Sequence, residues 1–270
     1  MDIYDALLKH KQNGESCMMV TVVEKHGEGP VEVGKKMLVT ESDEAYGTVG
    51  GGALEYAARE LCKTLMDAHE STLKKYLLNE GKIIEDAETL PMACGGTATL
   101  FFEYIGVKGH VYIFGAGHVG QALTNILKTM PYHITVIDDR PEVIQVFHGA
   151  DETYCMAFTD YIEAHSIKQG SYVIVCTPSH KYDYNVIHKV LELSLKPKYI
   201  GMLCSITKLK DYLSKTIDAF GEDVDLSNFY SPIGLDTGGG SPAEIAISIA
   251  AEMLTIEYNK HGAKHMRGKY

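Results

Sequence analysis

At 270 residues and 29.7 kDa the chain is long enough for one large or two medium domains, each with its own buried core. Its 45% hydrophobic and 23% charged residues are ordinary for a globular protein and exclude wholesale disorder, collagen and coiled coil. A net charge of −11 opposes attraction to nucleic acid or to an anionic membrane. With only 3 arginines among 25 basic residues, any phosphate must be held mainly by backbone rather than by guanidinium clamps.

Residues 3–12 carry Ile3, Tyr4, Leu7 and Leu8 at helical spacing, with Gly14 placed to end a helix. Cys17 to Val23 reads as a strand, broken at Gly27-Glu28-Gly29-Pro30, and Lys36 to Thr40 as a second strand paired with it. The glycine run from Gly47 to Gly52 opens a helix rich in good helix formers from Ala53 to Leu61. Lys74 to Leu78 and Thr97 to Tyr104 read as further strands, the latter preceded by Cys94-Gly95-Gly96. Residues 1–108 are therefore expected to form an α+β domain.

From His110 onward short β runs alternate with helix-length segments, the signature of βαβ units, so residues 109–259 are expected to form a Rossmann-like, doubly wound parallel α/β domain. Its strands are read at Val111 to Phe114, Ile134 to Ile137, Glu152 to Cys155, Tyr172 to Cys176 and Tyr199 to Met202. The last helix is announced by Ser241 as N-cap, Pro242 at the first helical position and Glu244 completing a capping box. A basic tail, 260–270, is expected to fray. No secretory leader or membrane-length apolar run is visible, and the six cysteines form no Cys-x-x-Cys pair, so a reduced cytoplasm is the expected home. The histidines are equally scattered, and no metal site can be read from spacing.

The strongest chemical pattern is Gly115-Ala116-Gly117-His118-Val119-Gly120, directly after a strand and opening a helix. The first glycine permits a tight turn, the second lets backbone approach a diphosphate, and the third lets helix pack on strand. Asp138 ends the next strand at about the spacing of the acid that bonds a ribose hydroxyl. Asp138-Asp139-Arg140 leaves NADH against NADPH open, since the acids suit free hydroxyls and Arg140 suits a 2′-phosphate. Twelve of the 26 glycines fall in four clusters, and those preceding helices at Gly47 to Gly52 and Gly238 to Gly240 either present amides to an anion or simply reverse the chain. Cys94, between side-chain-poor neighbours, is either an accessible thiol or a small buried hydrophobe. His180 and Asp183 follow a strand end as an acid–base or orienting pair, or as helix punctuation. Ser205 and Lys208 are similarly placed, as ligand contacts or as a cap and a solvated charge.

Taken in order, Lys36-Met37-Leu38-Val39-Thr40, Gly47-Thr48-Val49-Gly50-Gly51-Gly52-Ala53-Leu54-Glu55, Cys94-Gly95-Gly96 and Phe114 to Leu123 resemble the XdhC family of xanthine dehydrogenase accessory factors, chaperones of the molybdenum cofactor. The likeness continues through Val136 to Glu142, His180-Lys181-Tyr182-Asp183, Pro232 to Asp236 and Pro242 to Glu252. The resemblance implies a protein that binds molybdopterin, promotes its sulfuration with a cysteine desulfurase, and hands it to a xanthine dehydrogenase-type molybdenum hydroxylase, as a chaperone more than an enzyme, with a homodimer left open. It places Gly50, Gly51, Gly52, Glu55, Gly95, Gly96, Gly115, Gly117, His118, Gly120, Asp138, Asp139, Arg140, Ser205 and Lys208 toward the cofactor, and Cys94, His180 and Asp183 toward chemistry. Three cationic positions usual in the family are replaced, among them the Arg before His180, where this chain has Pro178-Ser179. The competing reading is an NAD(P)-dependent oxidoreductase with His180 as acid or base. A third is an interaction module that keeps the fold only as scaffold.

Overall fold

The computed structural model describes residues 2–79, 83, 85–92, 95–260 and 262, so Cys94 and the tail from 263 lie outside the described residues. The chain divides into two compact units, Met1–Lys108 and Gly109–Tyr270. No helix among the described residues is long and apolar enough to cross a membrane.

The first unit contains α1 (Ile3–Gln12), β1 (Cys17–His26), β2 (Lys36–Thr40), β3 (Ala45–Gly47), α2 (Gly52–Ala68), β4 (Thr72–Leu77), β5 (Glu88–Thr89) and β6 (Thr97–Ile105). Its sheet runs β3-β2-β1-β6-β4-β5, antiparallel except for the β4–β5 edge. Strand periodicity divides β1 between two cores. Met18, Val20 and Val22 pack with Leu54, Ala58 and Cys62 of α2, while Cys17 and Met19 pack with Ala6 of α1. Two layers of helix thus sandwich a sheet whose central strand is apolar on both faces.

The second unit contains β7 (Gly109–Phe114), α3 (His118–Leu127), β8 (Tyr132–Asp138), α4 (Pro141–Ile144), β9 (Glu152–Cys155), α5 (Phe158–His165), β10 (Tyr172–Val175), α6 (His180–Glu192), β11 (Tyr199–Met202), α7 (Ile206–Phe220), β12 (Phe229–Tyr230) and α8 (Pro242–Glu257). Its sheet, β12-β11-β10-β7-β8-β9, is parallel throughout. This is the doubly wound order of the Rossmann fold, and the order reverses between β7 and β10. Because helices cover both faces, the strands need no polar side, and every residue of β8 and β10 is buried. Val111, Ile113, Ile134 and Ile174 pack with Leu123 of α3 and Ile249 of α8. Phe114, Val173 and Val175 pack with Ile162 of α5, Val186 of α6 and Tyr212 of α7. Winding on both faces sends the chain out of β7 and β10 in opposite directions, which leaves a crevice at their carboxyl ends.

Replacing the cap of α8 offers a direct check of how its start is held. Ser241→Ala removes the hydroxyl that accepts from the Glu244 amide. It is expected to lower the unfolding free energy by about 1 kcal/mol in chemical denaturation.

Candidate functional site

The crevice begins at the β7–α3 loop, where three glycines serve three purposes. Gly115 has φ +120, and a Cβ there would sit 2.3 Å from the Cys176 carbonyl oxygen, so the exits of β7 and β10 touch backbone to backbone. At Gly120 a Cβ would lie 2.1 Å from the Gly115 carbonyl oxygen, which is how closely α3 packs on the loop that starts it. At Gly117 a Cβ would meet nothing within 4 Å: that side is open. His118, the first helical residue, is exposed beside it. The first amides of a helix lack intrahelical acceptors and carry the positive end of its dipole. Gly117 caps α3 without a side chain, the first turn contains no acidic residue, and among the described residues no side chain caps those amides.

The other glycine loops are spoken for. Glu55 Oε1 accepts from the Gly51 amide at 2.9 Å, from the Val49 amide at 3.3 Å and from the Thr48 hydroxyl. Burial pushes the Glu55 carboxyl up, but the donors of Thr48, Gly51, Val49 and Gly50 outweigh it and hold the group below its ordinary value. The loop's amides therefore already face a carboxylate. The loop expected to place Gly50, Gly51, Gly52 and Glu55 toward a ligand is thus braced by its own acid. Glu244 does the same before α8, accepting from the Gly240 amide at 3.2 Å and the Ser241 amide at 2.9 Å. Gly96 is buried, its carbonyl accepting from the Leu78 amide at 2.8 Å, and a Cβ there would fall 2.5 Å from the His26 carbonyl oxygen. Two backbones meet there, which leaves no room for a side chain. Gly95 is exposed, with φ +73.

Asp138 is held inside the fold. Its side chain is fully buried, and both oxygens are engaged: Oδ2 by the Ala116 amide at 2.8 Å and Arg140 Nη2 at 2.7 Å, Oδ1 by Arg140 Nε at 2.8 Å and the Arg140 amide at 3.1 Å. Burial raises its pKa, and those four donors more than reverse the shift, leaving it below the usual carboxylate range. Such a group ties loop to strand and leaves no acceptor for a ribose. Arg140 is paired with Asp138 through Nε and Nη2. Asp139, half-buried, forms no hydrogen bond or ion pair with a described residue. It borders a concavity of ≈ 80 Å³ with Ala157, Phe158, Thr159, Tyr182 and Asn185.

On the β10 side, Asp183 is 2% exposed; its Oδ1 accepts from the Thr177 hydroxyl at 2.6 Å and amide at 3.1 Å, and its Oδ2 lies 3.5 Å from His180 Nδ1. Burial raises the Asp183 pKa despite these partners. The pair is real in space, but the acid is turned to the loop after β10 and the exposed histidine rests on it. His180 and Lys208 line a cavity of ≈ 350 Å³ between α6 and α7 with Lys181, Tyr184 and Asp211. Ser205 is the N-cap of α7 but makes no side-chain cap bond. Cys176, beside the Gly115 carbonyl, has its thiol pushed up to about 12 by burial and by Asp183 and Asp138, so it is no thiolate at neutral pH. No group of three or more potential metal ligands occurs among the described residues.

Residues 111–253 match the family described as the XdhC Rossmann domain, and residues 10–77 match the XdhC and CoxI family. An uncharacterized protein, YqeB, of Escherichia coli K12 is 25% identical over 99% of this chain and 48% of its own length. A probable xanthine dehydrogenase subunit of Bacillus subtilis is 29% identical over 58% of this chain and 46% of its own length. The chain thus spans about half the length of these curated relatives. The crystal structure of a xanthine dehydrogenase from Bacillus halodurans shares the fold over 98% of both chains, with a TM-score of 0.51 at 19% identity.

Two glycine substitutions separate structural from ligand-facing roles. Gly120→Ala is expected to cost about 3 kcal/mol by overpacking against the Gly115 carbonyl, whereas Gly117→Ala changes stability by less than about 0.5 kcal/mol; denaturant midpoints measure both. Asp138→Asn removes a buried, fully bonded charge and is expected to cost about 3 kcal/mol at pH 7. Because the folded pKa lies below the unfolded value of about 3.9, that contribution is complete above the unfolded pKa and disappears as pH falls through the folded one. The gap between wild type and Asp138→Asn should therefore close in acid, as followed by unfolding curves at stepped pH.

Proposed function

The chain belongs to the XdhC family, and on that premise we propose that it is an accessory factor of a xanthine dehydrogenase-type molybdenum hydroxylase. It holds molybdopterin, assists sulfuration of the metal centre together with a cysteine desulfurase, and delivers the cofactor to the enzyme. The observation that carries this reading is the start of α3. Among the described residues, this glycine loop opens a helix with an open second glycine and with no carboxylate in its cap or first turn.

A phosphate-bearing ligand matches that arrangement. Amide N–H groups at a helix start supply directed donors and partial positive charge without requiring arginine, in a chain where Arg140 and Arg59 are both engaged with aspartates. Gly117 permits a phosphate to approach, and the Gly115–Cys176 backbone contact keeps the crevice at the ends of β7 and β10 from being filled by a side chain. When bound, the cofactor supplies the dithiolene-held metal that the client uses. The chain's own residues hold the phosphate end at Gly117 and His118 and fix the crevice through Asp138 and Asp183.

Purification from cells that synthesise molybdopterin is expected to yield protein carrying a fluorescent oxidised pterin and molybdenum. Gly117→Ala should retain the fold and carry about tenfold less of both, since losing about 1.4 kcal/mol of binding is a factor of ten. Protein free of pterin and of molybdenum, from cells whose molybdoenzymes are active, would overturn the proposal.

A further inference from the structure

We infer that the recess between α6 and α7 is a docking surface for a short acidic segment of a partner protein. The inference rests on charge and exposure along these two helices and is independent of the phosphate reading at α3.

Lys181 is the second residue of α6 and Lys208 the third of α7. Both are exposed, both line the recess of ≈ 350 Å³, and neither forms an ion pair with a described residue. The acid that shares the recess, Asp211, is already engaged: Lys215 Nζ lies 2.7 Å from its Oδ2, and the Tyr184 hydroxyl donates to the same oxygen at 3.2 Å. The bond from Lys215, helped by Tyr184, holds the Asp211 carboxyl below its ordinary value. Two cationic side chains from two helices are thus left for a carboxylate from outside. Their placement runs against the local physics. A cation in the first turn of a helix faces the positive end of the dipole and costs stability, where an acid would contribute it. The first turn of α7 has no acid, and that of α6 has Asp183, which is buried against Thr177. Residues that break a local rule without a gain to the fold mark a functional surface.

Exposure decides the kind of occupant. Of the side chains that line the recess only Tyr184 is partly buried, and the others are exposed. A small-molecule site encloses most of its ligand, which so shallow a recess does not do, whereas a protein segment is held by what lies around the charges as well. Ile206, the first residue of α7 and next to the recess-lining Thr207, is 67% exposed and supplies that apolar contact. Net charge separates the segment from larger polyanions. A chain of −11 repels nucleic acid or an anionic membrane at long range, while a few carboxylates meet Lys181 and Lys208 locally.

The test is fluorescence anisotropy of a labelled glutamate-rich peptide with a central leucine, titrated with the full chain at low salt. The peptide is expected to bind, and added salt to weaken it. Lys181→Glu combined with Lys208→Glu should weaken binding at least about tenfold, and Ile206→Ser should weaken it as well. Lys128→Glu combined with Lys168→Glu changes the net charge equally on other parts of the same unit and should leave affinity within about twofold. The free Lys181→Glu, Lys208→Glu protein should melt at a higher temperature than wild type, because acids then replace cations in both first turns. A lower melting temperature would assign the lysines to the fold and overturn the inference. Absence of peptide binding, or equal losses in the two double variants, would overturn it too. Displacement of the peptide by citrate at matched carboxylate concentration, or by an oligonucleotide at matched charge, would hand the recess to a small anion or a nucleic acid instead.

Discussion

Burial of the Asp138 carboxylate is the constraint on which the crevice depends. A charge taken out of water costs several kcal/mol unless its lone pairs are filled, and here four donors from Ala116 and Arg140 fill them. The consequence is geometric. The Ala116 amide turns to Asp138, and the glycine that follows, at the start of α3, has open space beside it. The same carboxylate holds Arg140 against the exit of β8, so the loops after two adjacent strands are set by one group. Asp183 plays a parallel part after β10, where its contacts with Thr177 set the chain between strand and α6.

Electrostatics then distinguishes loops that look alike in sequence. Before α2 and α8 the backbone amides converge on Glu55 and Glu244, so those helix starts are neutralised from within. The start of α3 is left with its partial charge and its open glycine. Surplus glycine therefore has several settings in this chain: backbone against backbone at Gly96, Gly115 and Gly120, turns stoppered by an acid at Gly51 and Gly240, and open space at Gly117.

Much of this was legible in the sequence, and what was not has a physical reason. The Rossmann architecture followed from strands alternating with helices and from the glycine motif in its strand-to-helix setting, and the capping box of α8 followed from Ser241, Pro242 and Glu244, whose geometry is local. The choice between Asp138 and Asp139 was not legible. Successive side chains of a strand point to opposite sides, so a spacing of about 20 residues finds the strand end without telling which of two adjacent acids faces inward. The engagement of Glu55 was not legible for a related cause: its carboxylate meets the Gly51 and Val49 amides across a loop in which Gly50, Gly51 and Gly52 all take positive φ. That conformation belongs to the fold and not to any residue spacing.

The acidic balance of the chain and its few arginines acquire a sharper meaning from the same geometry. Arg59 is paired with Asp43 and Arg140 with Asp138, so each guanidinium is already engaged with a carboxylate. A ligand bound through amides is selected by direction and fit at short range, with little long-range attraction from a molecule of net charge −11. Such binding is weaker than a cage of cations would give, and its release requires no ion pair to be broken. For a factor proposed to pass its ligand onward, a site held by amides positions the ligand without adding an ion pair to the barrier for release.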